Sequence, residues 1–219
     1  MYTIDELLDL SHTRAAELFE GKKYPWEVLS GITDFILKLG PTLPKEEFDC
    51  PKEGVWIAKD AIVYPTAFIA PPAIIDHGTE VRHCAFIRGS AIVGKNCVVG
   101  NSVELKNVIL FDNVQTPHYN YVGDSVLGYK SHMGAGSITS NVKSDRSPVF
   151  VKTGEGSIET GRKKFGAILG DHVEVGCNSV LNPGSVIGRN TNIYPLSRVR
   201  GEVPANSIYK DGDDIVDKQ

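Results

Sequence analysis

The chain has no apolar run long enough to cross a bilayer, no excess of positive charge and no paired cysteines, and each absence removes a class of function. Its 219 residues are 41% hydrophobic, enough for one substantial core or a main domain with a smaller element. None of the apolar stretches reaches the length of a membrane span. Lys and Arg number 23 against 27 Asp and Glu, a formal charge of -4. The basic footprint of a nucleic-acid binder is missing, so neither a nucleic-acid nor a membrane partner is expected. The opening "MYTIDELLDL" is acidic where a secretory leader would be basic, which points to a cytoplasmic protein. Cys50, Cys84, Cys97 and Cys177 are scattered without a CxxC pair. They indicate neither a disulfide framework nor a zinc knuckle, and buried free thiols are expected.

What is present is a period of six. Ile57, Val63, Ile69, Ile75, Val81, Ile87, Val93, Val99, Leu105 and Phe111 are all apolar, and the period returns at Leu169, Val175, Leu181, Ile187, Ile193 and Val199. Between them stand small residues and turn formers, as in "AFIRGSAIVGKNCVVGNS". Each hexad reads as a very short strand closed by a turn, and the series as a single-stranded parallel β-helix in a mainly β protein. With three hexads to a coil, residues eighteen apart stack at the inter-strand spacing of about 4.8 Å.

The β-helix is expected over 51–209, with 210–219 a C-terminal tail. Residues 1–50 have a helical grammar. Thr3 and Glu6 form a capping box ahead of "ELLDLSHTRAAELFE", and Pro25 opens "PWEVLSGITDFILKL", which stops at Gly40 and Pro41. Two helices are expected, either capping the open first coil or held on a tether. Residues 142–165 interrupt the hexads and loop out, as a binding face or an inert excursion, with "VFVKTGEGSIET" readable as a small hairpin turning at Gly154 to Gly156.

Stacking turns spacing into chemistry. Arg88 and Lys106 are eighteen apart and each follows a core position. Two cations one coil apart either share an anion such as phosphate or both extend into water. Glu104, in the same hexad as Lys106, could neutralise the pair or receive a hydroxyl or amine. After Phe111 the next core slot holds Pro117, and the apolar steps resume out of phase at Val122, Leu127 and Met133. His118 therefore falls at a phase slip, and as an imidazole it is a candidate general base or a structural residue.

The segments "NSVELKNV", "HYNYVGD", "HMGAGSITSN" and "KKFGAILGDHVEVG", in this order, resemble the left-handed β-helix acetyltransferases. The nearest likeness is to the acetyltransferase domain of the bifunctional glucosamine-1-phosphate acetyltransferase and uridyltransferase enzymes. The resemblance implies a left-handed coil, a cytoplasmic homotrimer with sites between subunits, acetyl-CoA as co-substrate and no metal requirement. It implies His118 as general base and Arg88 and Lys106 as phosphate ligands. Glu104 and, from a neighbouring chain, Lys164 would contact the sugar, with Tyr121 at the sugar phosphate. His132 stands where the family has an asparagine that contacts the acceptor. Asn141 would lie by the thioester, and Cys177 and Pro195 along the coenzyme A groove.

Three departures accompany it. His132 replaces that asparagine and Val142 stands where the family has a tyrosine, the insertion before Lys164 is far longer than the family's, and N-terminal helices stand in place of a nucleotidyltransferase domain. No "GxGTR"-like phosphate loop occurs, so uridylyl transfer is not expected.

The activity implied is N-acetylation of an amino sugar phosphate, such as glucosamine 1-phosphate, by direct attack of the amine on the thioester. A backbone amide near "GAGSI" or "TSN" is expected to hold the oxyanion. Two other classes stay open. One is a non-catalytic trimeric module that binds a sugar nucleotide. The other is a metalloenzyme of the γ-carbonic anhydrase type using His77, His83 and His118, although no two histidines stand five apart to chelate one metal.

Overall fold

Hexad after hexad, one aliphatic side chain points inward and the chain then turns a corner. The computed structural model, which describes residues 1–211 and 214–218, winds these steps into a three-walled parallel β-helix. The first wall contains Val55–Ala58, Ala73–Ile75 and Ala91–Val93, then the later halves of Glu104–Leu110 and Tyr121–Leu127, and above them Ala167–Leu169, Ser185–Ile187 and Glu202–Val203. The second wall runs from Ile62–Val63 through Val98–Asn101, Gln115–His118 and His132–Met133 to Ser207–Asp211. The third runs from Phe68–Ile69 and Phe86–Ile87, through the early halves of Glu104–Leu110 and Tyr121–Leu127, to Ile138–Thr139, Val180–Leu181 and Arg198–Val199.

The coil length is eighteen where Ile57 pairs with Ile75 and Ile75 with Val93. It then falls to seventeen. Val93 pairs with Leu110, Val99 with Thr116 and Leu105 with Val122. The slip is therefore not at Pro117. It lies at the corner between the third and first walls, where Asn107 (φ 55°) turns alone. One coil earlier, Gly89 and Ser90 both take positive φ. Asp124 (φ 49°) repeats the shortened corner, and asparagine and aspartate are the side chains that best tolerate this left-handed conformation. Leu110 thus takes the core slot assigned to Phe111, and Phe111 turns edge-on to Phe19 of the N-terminal segment. Thr116 takes the slot assigned to Pro117 and is fully buried.

The first-wall strands Ala73–Ile75, Ala91–Val93, Ala167–Leu169 and Ser185–Ile187 are buried along their whole length. Ile74, Ile92, Ile109, Val126, Ile168 and Val186 stand between two inward residues and point out of the coil, yet remain buried. The N-terminal segment covers them. Helix Ile32–Leu39 packs on Ala91–Val93 and Glu104–Leu110, and the turn Pro25–Ser30 on Tyr121–Leu127.

Thr3 and Glu6 form the expected capping box, but two long helices do not follow. The α-helices are Ile4–Leu7 and Ile32–Leu39, separated by 3₁₀ turns. The reason is anchorage coil by coil, which a continuous helix could not meet. The Ala205 N–H donates to the Tyr2 hydroxyl at 2.7 Å, Asp9 N–H to Asp171 at 2.8 Å and Asp112 N–H to the His12 carbonyl at 2.9 Å, while Arg14 pairs with Asp76. The segment sheathes a flank and leaves the first coil's end open, where Ile62 is 51% and Val63 36% exposed.

Two further expectations change. Asp214–Asp217 pairs antiparallel with Ser207–Asp211, so these four residues form a strand where a tail is expected. Of the cysteines only Cys97 is buried. Cys84 and Cys177 sit at corners, where side chains leave the coil, and Cys50 lies on an exposed edge strand. The insertion forms the hairpin Phe150–Thr153 with Gly156–Glu159, Thr153 facing Gly156. It is docked on the coil, with Val149 and Val151 fully buried.

Candidate active site

The two edges of the third wall carry the candidate residues. At the edge shared with the first wall, Leu105 pairs with Ile87, so Lys106 follows one coil above Arg88 as its spacing predicts. The cations do not face each other bare. Arg88 Nη1 donates to Glu104 Oε1 at 2.7 Å, which holds the guanidinium still more firmly protonated. Lys106 Nζ donates to both oxygens of Asp124, at 3.0 and 3.1 Å.

Asp124 is the residue that the sequence reading passed over. Its buried carboxylate also accepts from Asn107 Nδ2 at 2.9 Å and from Asn141 Nδ2 at 2.6 Å. The signal was available, because Asn107, Asp124 and Asn141 recur at a spacing of seventeen. Tyr121 lies back along its own strand over Gly123, where a Cβ would come within 2.5 Å of its hydroxyl. The half-buried phenol is pushed above its ordinary pKa, first by burial and then by the Asp124 and Glu104 carboxylates. Arg88, Glu104, Lys106, Tyr121, Asp124 and Asn141 thus form one cluster. Lys164 stands next to it on the insertion, since the adjoining Phe165 N–H donates to the Asn141 carbonyl at 2.9 Å.

The other edge joins the second and third walls. Tyr119 N–H donates to the Asn101 carbonyl, Gly136 N–H to His118, Asn178 N–H to Ala135 and Leu196 N–H to Cys177. These bonds string His118, Ala135, Cys177 and Pro195 up a single edge, one coil each. His118, Cys177 and Pro195 are exposed, and no hydrogen bond to the His118 imidazole is found among the described residues. In "GAGSI" the N–H groups of Gly134, Gly136, Ser137 and Ile138 are committed within the solenoid, and in "TSN" so is that of Ser140. The Ala135 N–H, directly above His118, takes no acceptor among the described residues.

His132 is not brought into this company. It begins its second-wall strand opposite Gln115, and its Nδ1 pairs with Glu174 at 2.7 Å. The three histidines considered for a metal are also apart. His77 is held between Asp60 at 2.8 Å and Glu47 at 3.3 Å. His83 and His118 lie two coils apart with Asn101 between, roughly 10 Å along the axis. No cluster of metal-ligating side chains occurs among the described residues, nor is any of their helices long and apolar enough to cross a membrane.

A family described as the GMPPB C-terminal domain matches residues 69–182. A bifunctional sugar-1-phosphate nucleotidylyltransferase/acetyltransferase from Sulfurisphaera tokodaii is 36% identical over 108 residues, covering 49% of this chain and 27% of that protein. The bifunctional protein GlmU of Methanococcus aeolicus is 35% identical over 114 residues, 52% of this chain and 28% of that one. The chain thus spans little more than a quarter of the length of these relatives. Among solved structures, the acetyltransferase domain of PglB from Neisseria gonorrhoeae aligns with 88% of this chain and 66% of its own, at 13% identity and a TM-score of 0.34.

Proposed function

This chain belongs to the GMPPB C-terminal domain family, and from that premise we propose that it is a hexapeptide-repeat acyltransferase that moves an acetyl group from acetyl-CoA to the amine of a sugar phosphate. The observation that carries the proposal is the edge on which His118, Ala135, Cys177 and Pro195 follow one another. It aligns an exposed imidazole, an N–H with no acceptor among the described residues and the two residues expected to line the donor's groove. The Sulfurisphaera tokodaii relative, whose name includes acetyltransferase, supports the same reading.

An ammonium has no lone pair with which to attack a thioester. In this reading the His118 imidazole accepts a proton from the acceptor nitrogen, help typically worth about 10²- to 10⁴-fold. The freed amine attacks the thioester carbonyl, and the N–H of Ala135 is placed to donate to the oxygen on which charge develops. Collapse breaks the C–S bond, the nitrogen gives up its second proton to solvent as the amide forms, and the proton held by His118 passes to the departing thiolate. No covalent enzyme intermediate arises, so exposed Cys177 acts as lining.

Arg88 and Lys106 serve the phosphate with the donors their carboxylates leave free, because a guanidinium has five N–H donors and an ammonium three. Glu104 and Tyr121 flank them on the sugar's side, with Asn141 above. His132, paired with Glu174 at the far end of the second wall, has no part in this acceptor site within one chain. His118 and Lys106 lie on opposite edges of the third wall, roughly 10 Å or more apart along extended chain. With its first wall already sheathed, the solenoid offers its second and third walls to other copies, and a homotrimer would complete the site, with Lys164 reaching from a neighbour.

The test is thiol release from acetyl-CoA with a panel of amino sugars, each with and without a 1-phosphate. Turnover that requires both amine and phosphate supports the proposal. Release of thiol with unphosphorylated amines alone removes Arg88 and Lys106 from the acceptor site, and no release with any acceptor contradicts acetyl transfer to amino sugars.

A further inference from the structure

The insertion of residues 142–165 closes a groove beyond the residues assigned to the acceptor's phosphate. Its hairpin sits on the edge between the third and first walls, docked at two glycines of positive φ. A Cβ on Gly184 would come 2.8 Å from the Phe150 carbonyl oxygen, and one on Gly201 would come 2.7 Å from that of Lys152. Close backbone packing of this kind fixes the hairpin, so the space beside it is preformed. That space is about 690 Å³, the size of a site for a nucleotide-sized ligand.

Its chemistry is uneven in a specific way. Lys143, Lys152 and Arg200 line it, and Asp145 is the carboxylate among its lining residues. Asp145 Oδ1 accepts from the Ser147 N–H at 3.0 Å and hydroxyl at 2.8 Å, and its Oδ2 stands 3.9 Å from Lys143 Nζ. Lys152, Arg200 and neighbouring Arg198 have no carboxylate within ion-pair distance among the described residues. A second groove of about 440 Å³ shares Asn182 and Arg200 with the first and runs past Arg198, and its lining carboxylate, Glu202, is paired with the Met1 ammonium at 3.2 Å. Cations held around one groove repel one another until an anion lies between them. Beside them Phe150, 41% exposed, presents its ring in the same groove, with Lys143 Nζ 5.9 Å from the ring centroid.

The groove also lies in line with the candidate site below it. Arg88, Lys106, Gly123, Ser140, Asn182 and Arg200 each follow an inward-facing third-wall residue and form one column. Between the two sites the column carries the Tyr121 phenol, which lies over Gly123, and then the small side chain of Ser140.

We infer that the groove between the inserted hairpin and the last coils binds a nucleoside diphosphate, with Lys152 and Arg200 on the phosphates and Phe150 under the base. Two molecules carry that group: the adenosine diphosphate end of an acyl-CoA donor, or a sugar acceptor linked to a nucleotide. The site stands independently of the acyl-transfer reading.

Isothermal titration of the full chain with ADP, CoA, UDP and GDP, and with adenosine as the phosphate-free control, tests it. At least one diphosphate probe binds and adenosine does not. The paired change Lys152→Gln with Arg200→Gln weakens that binding at least about tenfold. Phe150→Ala weakens it too, and both variants melt at the wild-type temperature because all three side chains are exposed. ADP and CoA binding in competition, with UDP and GDP silent, identifies the donor's nucleotide. UDP or GDP binding undiminished by saturating CoA identifies an acceptor's. The inference is overturned if no probe binds, or if the paired variant binds as the wild type does. Binding without thiol release leaves this site standing and removes the acyl-transfer reading, whereas thiol release indifferent to the paired variant does the reverse.

Discussion

Lys106 and Asp124 stand one coil apart, with the ammonium 3.0 and 3.1 Å from the two carboxylate oxygens. The carboxylate is buried and the lysine partly exposed. Asn107 from below and Asn141 from above close the rest of its acceptor capacity. A cation first considered for a substrate phosphate is therefore also part of what holds this corner of the solenoid.

Removing one partner should expose that structural role. Lys106→Ala leaves a buried carboxylate with only its amide donors and should destabilise the fold by about 2–3 kcal/mol, less than a fully buried pair because Lys106 reaches solvent. Asp124→Asn keeps the shape and the left-handed backbone, and should cost less. Urea unfolding of both variants measures the difference, and equal stability to wild type in Lys106→Ala contradicts the pairing.

The raised pKa of Tyr121 gives a test in alkali. With burial as the first cause and the Asp124 and Glu104 carboxylates next, its folded phenol holds its proton above the ordinary value of about 10. A folded-state pKa above the unfolded one means stability present below the unfolded value and lost as pH rises through the folded one. The ultraviolet phenolate titration of wild type minus that of Tyr121→Phe should show a midpoint above the ordinary phenol value, and Asp124→Asn should lower it. A difference titration at the ordinary value would contradict the environment described.

First-wall side chains that point out of the coil should behave as core. Ile92→Ala and Ile109→Ala are each expected to cost about 2–4 kcal/mol, because helix Ile32–Leu39 covers both strands. Denaturant unfolding checks this, and a loss near zero would mean that the N-terminal segment does not sheathe this wall.

Docking of the inserted hairpin rests on Gly201, at φ 80° with the Lys152 carbonyl against it. Gly201→Ala adds both a left-handed penalty of about 1–2 kcal/mol and a clash. Limited proteolysis should then cut within 142–165 faster than in wild type. Unchanged cleavage would show that the hairpin does not depend on this contact.

The hexads made the coil legible because one inward aliphatic per six residues is a requirement of the fold itself. The shortened corners at Asn107 and Asp124 were hidden in the same pattern. Dropping one residue shifts the phase only downstream, so the break was placed at Pro117, where apolar residues next failed, and Phe111 and Leu110 exchanged roles. The sheath was written in the triplets Ala73–Ile75, Ala91–Val93 and Ala167–Leu169, whose middle residue has no reason to be apolar unless something covers it. Its 3₁₀ turns were not legible, since they answer to anchors such as Asp171 and Asp76, far away in sequence. The alignment of His118 with Cys177 was likewise invisible, because the insertion stretches one coil to 42 residues between paired positions such as His132 and Glu174.

The central claim is that His118 moves a proton in acyl transfer, and single-turnover thiol release by His118→Ala, with acetyl-CoA and the best phosphorylated amino sugar saturating, addresses it most directly. The account predicts a rate lower by about 10²- to 10⁴-fold, with the melting temperature unchanged because the imidazole is exposed and bonded to no other described residue. A variant that releases thiol at the wild-type rate would contradict it.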